Sequence, residues 1–133
     1  MKYLLTLFFC TSLVFCGSKN TYPLAENALD AGREFIDACL KGDFAKAQFY
    51  MLQDASNKQH LQTIETEYHL KDRDQRSQYR EASINIAGVE ELTENEVIVQ
   101  YQNSYDKIGK KVKIIRQGNA WLVDFKYTFN PNL

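Results

Sequence analysis

The chain is poor in the residues that mark several special classes of protein. Its 133 residues include two prolines, six glycines and three cysteines. These counts exclude a collagen-like or low-complexity chain and a dense disulfide scaffold. A basic excess is missing as well, because the formal net charge at pH 7 is -1, whereas nucleic-acid-binding domains usually carry a strong positive charge. The composition that remains, 44% hydrophobic and 25% charged, is typical of one globular domain.

Long hydrophobic runs are also missing, but a short one follows the N-terminus. After the basic Lys2, the segment from Leu4 to Phe15 is apolar except for Thr6, Thr11 and Ser12. A helix of this length rises about 18 Å and is too short to cross a hydrocarbon core about 30 Å thick. We therefore expect a secretory signal peptide over residues 1–15.

The end of the apolar run resembles the lipobox of bacterial lipoproteins. Leu13-Val14-Phe15-Cys16 places a cysteine where such proteins are acylated, although Phe15 stands where the motif usually has Gly, Ala or Ser. The resemblance implies that Cys16 anchors the mature chain in a membrane and that residues 16–23 form a lipidated tether. By the same resemblance, Gly17 favours the outer membrane, with the domain on its periplasmic side. The alternative is a soluble periplasmic or secreted protein in which Cys16 carries no lipid.

The three cysteines leave no pair for a disulfide bond within the mature domain. Cys10 leaves with the leader and Cys16 carries the lipid, so Cys39 is left as a single thiol. Cys39 lies on the apolar side of a predicted helix. We expect a buried, unreactive thiol there rather than a nucleophile.

The N-terminal half of the mature chain has helical periodicity. Its apolar residues recur at three- and four-residue steps, Gly42 is placed to end a helix, and Asp43 is placed to cap the next one. The mixed-charge stretch 71–81 lacks an apolar period and is predicted to be a solvated helix end or a loop. We predict three helices, over residues 24–40, over residues 44–51, and from Asp54 or Ser56 onward.

The C-terminal half changes to a two-residue period, which is typical of strands. The period slips at Ala87-Gly88, where a β-bulge would account for the shift, and Gly118-Asn119 predicts a tight hairpin turn. A sheet with one apolar face needs a cover, and the preceding helices can supply it, so the fold class is α+β. We predict a four-stranded antiparallel meander, with strands from Ile84, around 97–101, around 112–114 and over 121–129.

Two stretches of the sequence resemble a known family. Residues 31–47, AGREFIDACLKGDFAKA, join an apolar helix to a second helix through Lys-Gly-Asp, and residues 118–124, GNAWLVD, lead from a turn into an alternating strand. Both resemble nuclear transport factor two and its ketosteroid-isomerase-like relatives, and the whole resembles uncharacterised bacterial lipoproteins with such a domain. The resemblance implies a cystatin-like cone over residues 24–133, with helices packed on a curved sheet. These motifs are structural and imply no activity.

The interior of such a cone is the default place for a ligand. Asp37, Asp124 and Tyr101 are residue types that the isomerase relatives use, but Asp124 is predicted on the strand face opposite Trp121, so we expect no enzymatic activity. An aromatic stripe at this spacing is also typical of a plain core. The candidate pocket lining consists of five aromatic residues: Phe35, Tyr101, Trp121, Phe125 and Tyr127.

Metal and cofactor sites have little support in the sequence. Glu65 and His69 share a helix face but supply only two ligands, and a closed zinc site needs four. The sequence contains no phosphate-binding glycine loop and no nucleophile motif. We therefore expect no metal and no cofactor.

Charge is distributed unevenly along the predicted sheet. Acidic residues, four between Glu90 and Glu96, surround the first hairpin turn, and successive turns of a meander lie at opposite ends. We predict a basic end that faces anionic headgroups or an acidic partner. The alternative is that these charges only discourage edge-to-edge pairing. The candidate basic patch consists of Lys107, Lys110, Lys111, Lys113 and Arg116.

These observations favour a membrane-anchored protein with a non-catalytic binding or interaction domain. Its partner would be an envelope protein or a small apolar ligand, with no role for nucleic acid. A small-ligand carrier or a pocket enzyme of the same cone fold is the alternative.

Overall fold

A computed structural model of the chain describes residues 21–132, and the predicted leader and Cys16 lie outside this range. The described chain is α+β, with all four α-helices before a four-stranded antiparallel sheet, as the sequence predicts. A 3₁₀ turn over Phe125–Thr128 follows the last strand. The helices are α1 (Ala28–Lys41), α2 (Phe44–Phe49), α3 (Ala55–Leu70) and α4 (Arg73–Glu81), and the strands are β1 (Ile84–Thr93), β2 (Glu96–Asn103), β3 (Lys110–Gln117) and β4 (Ala120–Asp124).

The sheet is an open meander in the order β1-β2-β3-β4. Its inner face, defined here as the face under α1, carries Val99, Val112, Ile114 and Val123, none of which has any exposed surface. Gly32 of α1 lets that helix approach the sheet closely, because a Cβ atom there would lie 3.4 Å from the Ile114 side chain. The core of the domain therefore lies between α1 and the sheet.

The two edges of the sheet differ. Along β4, the Val123 amide donates to the Tyr50 carbonyl at 2.8 Å and the Leu52 amide donates to the Val123 carbonyl at 3.0 Å, so the chain after α2 covers this edge. Along β1, the predicted bulge is confirmed, because the register with β2 shifts between Ile86 and Gly88. Among residues 21–132, no strand pairs with the outer edge of β1.

The corner between the first two helices is built as predicted. Gly42 ends α1 with a φ of 75°, and the Asp43 carboxylate caps α2 by accepting from the Lys46 amide at 3.0 Å. The predicted start of α1 at Leu24 is four residues early. The Asn27 side chain accepts from the Asp30 amide at 2.9 Å and fixes the first turn at Ala28.

The mixed-charge stretch forms a fourth helix, so the prediction of three helices is wrong. α4 begins with a reciprocal pair of bonds: the Gln75 amide donates to the Asp72 carboxylate at 2.8 Å, and the Asp72 amide donates to the Gln75 side chain at 3.1 Å. This capping box is a local helix-start motif that needs no apolar stripe. The predicted solvation is correct, since no residue of α4 is buried.

The fourth strand is shorter than the predicted run 121–129. β4 ends at Asp124 because the backbone of the next turn bonds elsewhere: the Lys126 amide donates to the Asn57 side chain at 2.7 Å, and the Thr128 hydroxyl donates to the Lys111 carbonyl at 2.8 Å. Phe125 and Tyr127 remain buried, but on different sides of the sheet. Phe129 is 47% exposed and stacks on His60 with 4.2 Å between ring centroids.

Candidate functional site

A small cavity of about 80 Å³ lies between α1 and the inner face of the sheet, at the end where α1 finishes. Phe35 and Cys39 reach it from α1, Tyr79 from α4, and Tyr101 from β2. These positions follow from the helical spacing of α1, which puts residues 35 and 39 on one face. Ile36, Leu40, Ile64, Asn103, Lys110, Phe125 and Thr128 complete the lining.

Aromatic side chains pack between α1 and the inner face of the sheet beside this cavity. Phe35 and Phe125 meet edge to face with 4.9 Å between ring centroids, and both are at least nine-tenths buried. Pockets that hold small molecules are usually about 300 Å³ or larger. The cavity as it stands fits a few atoms rather than a substrate.

The cavity nevertheless contains a hydroxyl that bonds to no described residue. Tyr101 is buried as a residue, yet its hydroxyl makes no hydrogen bond within residues 21–132. Every fully enclosed side-chain nitrogen and oxygen in that range does have a partner, so the Tyr101 hydroxyl still reaches open space. Burial raises the pKa of Tyr101 well above its ordinary value, and it raises the pKa of Tyr79 to about 12. Both hydroxyls therefore stay neutral and can donate a hydrogen bond to a ligand.

The Cys39 thiol is held in its unreactive form. Burial raises its pKa to about 12, a change that the charge of Lys110 opposes only in part. Since the thiolate is the reactive species, we expect native protein in which Cys39 is the only thiol to react with iodoacetamide at least about a hundredfold more slowly than the urea-unfolded chain. Mass spectrometry of the alkylated protein measures this, and rapid alkylation of the native fold would contradict it.

The structure does not bring the five predicted pocket residues together. Phe35, Tyr101 and Phe125 line the cavity. Trp121 instead borders a groove of about 270 Å³ at the acidic end, beside Val89. Tyr127 borders a groove of about 450 Å³ on the outer face of the sheet.

The predicted basic patch is also divided. Lys110 pairs with Asp106 at 2.9 Å, and Lys113 pairs with Glu96 at 3.6 Å. Arg116 lies at the acidic end, because its amide donates to the Asn95 carbonyl at 2.8 Å, and its guanidinium carbon is 5.7 Å from the Trp121 ring centroid. The basic end is therefore formed by Lys107, Lys110 and Lys111, of which Lys107 and Lys111 are exposed.

The two carboxylates of the type that isomerase relatives use as a base are engaged elsewhere. Asp37 pairs with Lys41 at 2.8 Å on the surface of α1. Asp124 lies on the strand face opposite Trp121, as predicted, but it is buried and pairs with Lys126 at 2.6 Å. Of the acidic side chains in residues 21–132, none lines the cavity.

The most connected polar cluster is one that the sequence does not reveal. Asn57 has no exposed surface, and its amide nitrogen donates to Asp54 at 2.6 Å and to Asp124 at 2.9 Å. The Lys126 ammonium donates to the Asp124 carboxylate at 2.6 Å, and this hydrogen bond raises the pKa of Lys126. A backbone bond from Asn57 holds the pKa of Asp54 below its ordinary value. This cluster ties the start of α3 to the end of β4, so its role is structural.

Further chemistry finds little support in residues 21–132. The His69 Nε2 atom is 3.9 Å from Glu65, and the described residues contain no group of three or more His, Cys, Asp or Glu side chains placed to hold a metal. Within the same range, none of the helices has the length and apolar character needed to cross a bilayer. Comparison with protein families, with curated proteins and with solved structures finds no match.

Proposed function

We propose that the protein is a bacterial envelope lipoprotein whose domain binds a partner and performs no catalysis. One observation argues against a pocket enzyme of the cone fold: the cavity between α1 and the sheet holds only about 80 Å³, because Phe35 and Phe125 pack together beside it. Such a space admits no substrate of ordinary size. The anchor is supported by the lipobox-like segment ending at Cys16, and the cone shape by the resemblance of residues 31–47 and 118–124 to nuclear transport factor two.

The anchor has a direct test in cells. In bacteria fed radiolabelled palmitate, the intact chain should incorporate label and fractionate with the outer membrane, because Cys16 carries the acyl chains. Cys16→Ser should lose the label completely and keep its leader. Cys39→Ser is the matched control, because Cys39 lies outside the lipobox-like segment. Label that persists in Cys16→Ser would refute the lipoprotein proposal.

The interaction partner can be sought in the same strain. Crosslinking in intact cells followed by pull-down should recover an envelope protein with the acylated chain. Recovery should fall when the domain carries charge reversals on the interacting surface. Capture that is unaffected by any surface variant would indicate nonspecific association.

A small-ligand carrier is the second candidate, and the Tyr101 hydroxyl favours it. This hydroxyl is largely buried and makes no hydrogen bond to any described residue. A hydrogen bond from it to a ligand or to water would therefore stabilise the complex. A ligand that separates Phe35 from Phe125 and accepts a hydrogen bond would satisfy it. Native mass spectrometry of protein extracted gently from membranes should then show a bound apolar molecule that Tyr101→Phe binds less well. If the extracted protein carries no ligand, the small-ligand carrier is rejected and the partner-binding domain remains.

A further inference from the structure

Two large apolar side chains stand far out of the described fold. Leu70 at the end of α3 is 81% exposed, and Ile108 in the loop between β2 and β3 is 59% exposed. They are the most exposed of the large hydrophobic residues in the part of the chain that the structure describes. Lys71 directly follows Leu70, and Lys107 directly precedes Ile108.

A chain of contacts places both residues at one end of the domain. The Lys71 ammonium lies 5.1 Å from the centroid of the Tyr79 ring, and the Tyr79 ring lies 5.3 Å from the ring of Tyr105. Tyr105 belongs to the same loop as Ile108. We call this surface, which comprises Leu70, Lys71, Tyr105, Lys107 and Ile108, the Leu70–Ile108 end.

The loop that contains Ile108 is held in place by hydrogen bonds to the side chains of Asn103 and Asp106. The Asn103 side chain accepts from the amides of Tyr105 and Asp106, both at 2.9 Å. The Asp106 carboxylate in turn accepts from the Ile108 amide at 3.0 Å and pairs with Lys110 at 2.9 Å. Asn103 itself is buried. The exposed isoleucine is thus fixed by bonds on both sides.

The described chain begins beside α2, where the Tyr22 ring lies 5.4 Å from the Phe49 ring and 6.4 Å from the Tyr50 ring. The Tyr22 hydroxyl is 3.4 Å from the Asp43 carboxylate, and the residue before Asp43 in the helix corner is Gly42, against which the Tyr68 ring packs. Tyr68 lies in the last turn of α3, two residues before Leu70. Cys16 lies five residues before the first described residue, a span of at most about 18 Å.

We propose that the Leu70–Ile108 end docks on the anionic lipid surface that holds the anchor, with Leu70 and Ile108 inserted among the headgroups. This deepens the proposed function and rests on the lipid anchor at Cys16. Lysines placed beside inserted apolar side chains bind lipid phosphates, each strengthening binding about fivefold near an anionic surface. Docking at this end turns the acidic end, with its Trp121 groove, away from the membrane.

Two carboxylates near this end, those of Asp106 and Asp72, already have partners within the domain. Asp106 neutralises Lys110, and the Asp72 carboxylate is occupied by the Gln75 amide. Lys107 has no ion-pair partner among the described residues, and Lys111 has none either. Because each unpaired lysine strengthens binding only about fivefold, the apolar side chains must supply a large share of the binding.

The test separates docking from acylation by using a chain without lipid. The core runs from Ala25 to Tyr127, so a chain from Gly17 to Leu133 keeps the whole fold. In flotation with vesicles, it should bind phosphatidylcholine mixed with phosphatidylglycerol and bind pure phosphatidylcholine at least about fivefold less. Ile108→Glu should lower binding to the anionic vesicles at least about tenfold, and Lys107→Glu about fivefold or more.

Leu92→Glu is the matched control, because Leu92 is 43% exposed near the hairpin turn at the opposite end. It should leave vesicle binding unchanged, and all three variants should unfold at the temperature of the parent chain, since the altered side chains are exposed. No binding to anionic vesicles, or equal losses from Leu92→Glu and Ile108→Glu, would overturn the docking proposal. Either result leaves the palmitate experiment untouched, so the two proposals fail separately.

Discussion

Gly42→Ala should lower the free energy of unfolding by about 3 kcal/mol, one of the two largest effects that we expect from a single substitution. Gly42 has a φ of 75°, which alone costs an alanine about 1 kcal/mol. In addition, a Cβ atom at this position would lie 2.6 Å from two ring carbons of Tyr68. Tyr68 is buried in the core, so its ring must shift against packed neighbours, at a cost of about 1–3 kcal/mol.

The measurement is urea unfolding followed by the fluorescence of Trp121. Gly118→Ala is the control, because Gly118 has a φ of 60° but a Cβ atom added there would meet no other atom within 4 Å. It reports the backbone cost alone, so it should lose about 1 kcal/mol. Equal losses at the two glycines would show that the Tyr68 ring gives way freely and that the contact does not stabilise the helix corner.

Features set by neighbouring residues are predictable from the sequence. Gly42 and Asp43 mark the corner between α1 and α2 because the left-handed φ and the helix cap depend on short-range chemistry. The bulge at Gly88 follows from a slip in the two-residue period. α4 escapes prediction because it has no buried residue and hence none of the apolar periodicity that indicates a helix, whereas its start at Asp72 depends on a capping box.

The candidate site is less predictable, because it depends on long-range register. Periodicity assigns Trp121 to the inner face of the sheet but does not give its position along the strand. Because Trp121 pairs with Arg116, Trp121 lies near the acidic end, away from Phe35. Tyr127 leaves the predicted strand because the Lys126 amide bonds to Asn57, which lies 69 residues earlier in the chain. Neither displacement has a local marker in the sequence.

Replacement of Asn57 by alanine should also lower the free energy of unfolding by about 3 kcal/mol. The amide side chain joins three groups: it donates to Asp54 and Asp124 and accepts from the Lys126 amide. Alanine leaves Asp124 with one donor fewer and the Lys126 amide without an acceptor. Each buried group that loses its partner costs about 1–3 kcal/mol, more when it is charged.

Asn57→Asp tests the charge environment of the same position. It puts a third carboxylate between Asp54 and Asp124, so it should destabilise the fold more than alanine does at neutral pH. Those neighbours raise the pKa of the introduced carboxyl in the folded state above its value in the unfolded chain. The folded state then binds the proton more tightly, so the deficit relative to the parent chain should shrink as the pH falls through that raised pKa.

The readout is urea unfolding of the parent chain and each variant over a series of pH values. Thr66→Ala is the control on the same helix, because its exposed hydroxyl only bonds back to the Gln62 carbonyl at 2.9 Å. Its effect should stay within about 0.5 kcal/mol. If Asn57→Ala were as mild as Thr66→Ala, the fold would not depend on the link between α3 and β4. If Asn57→Asp showed no recovery at low pH, the Asp54 and Asp124 carboxylates would not act on that position.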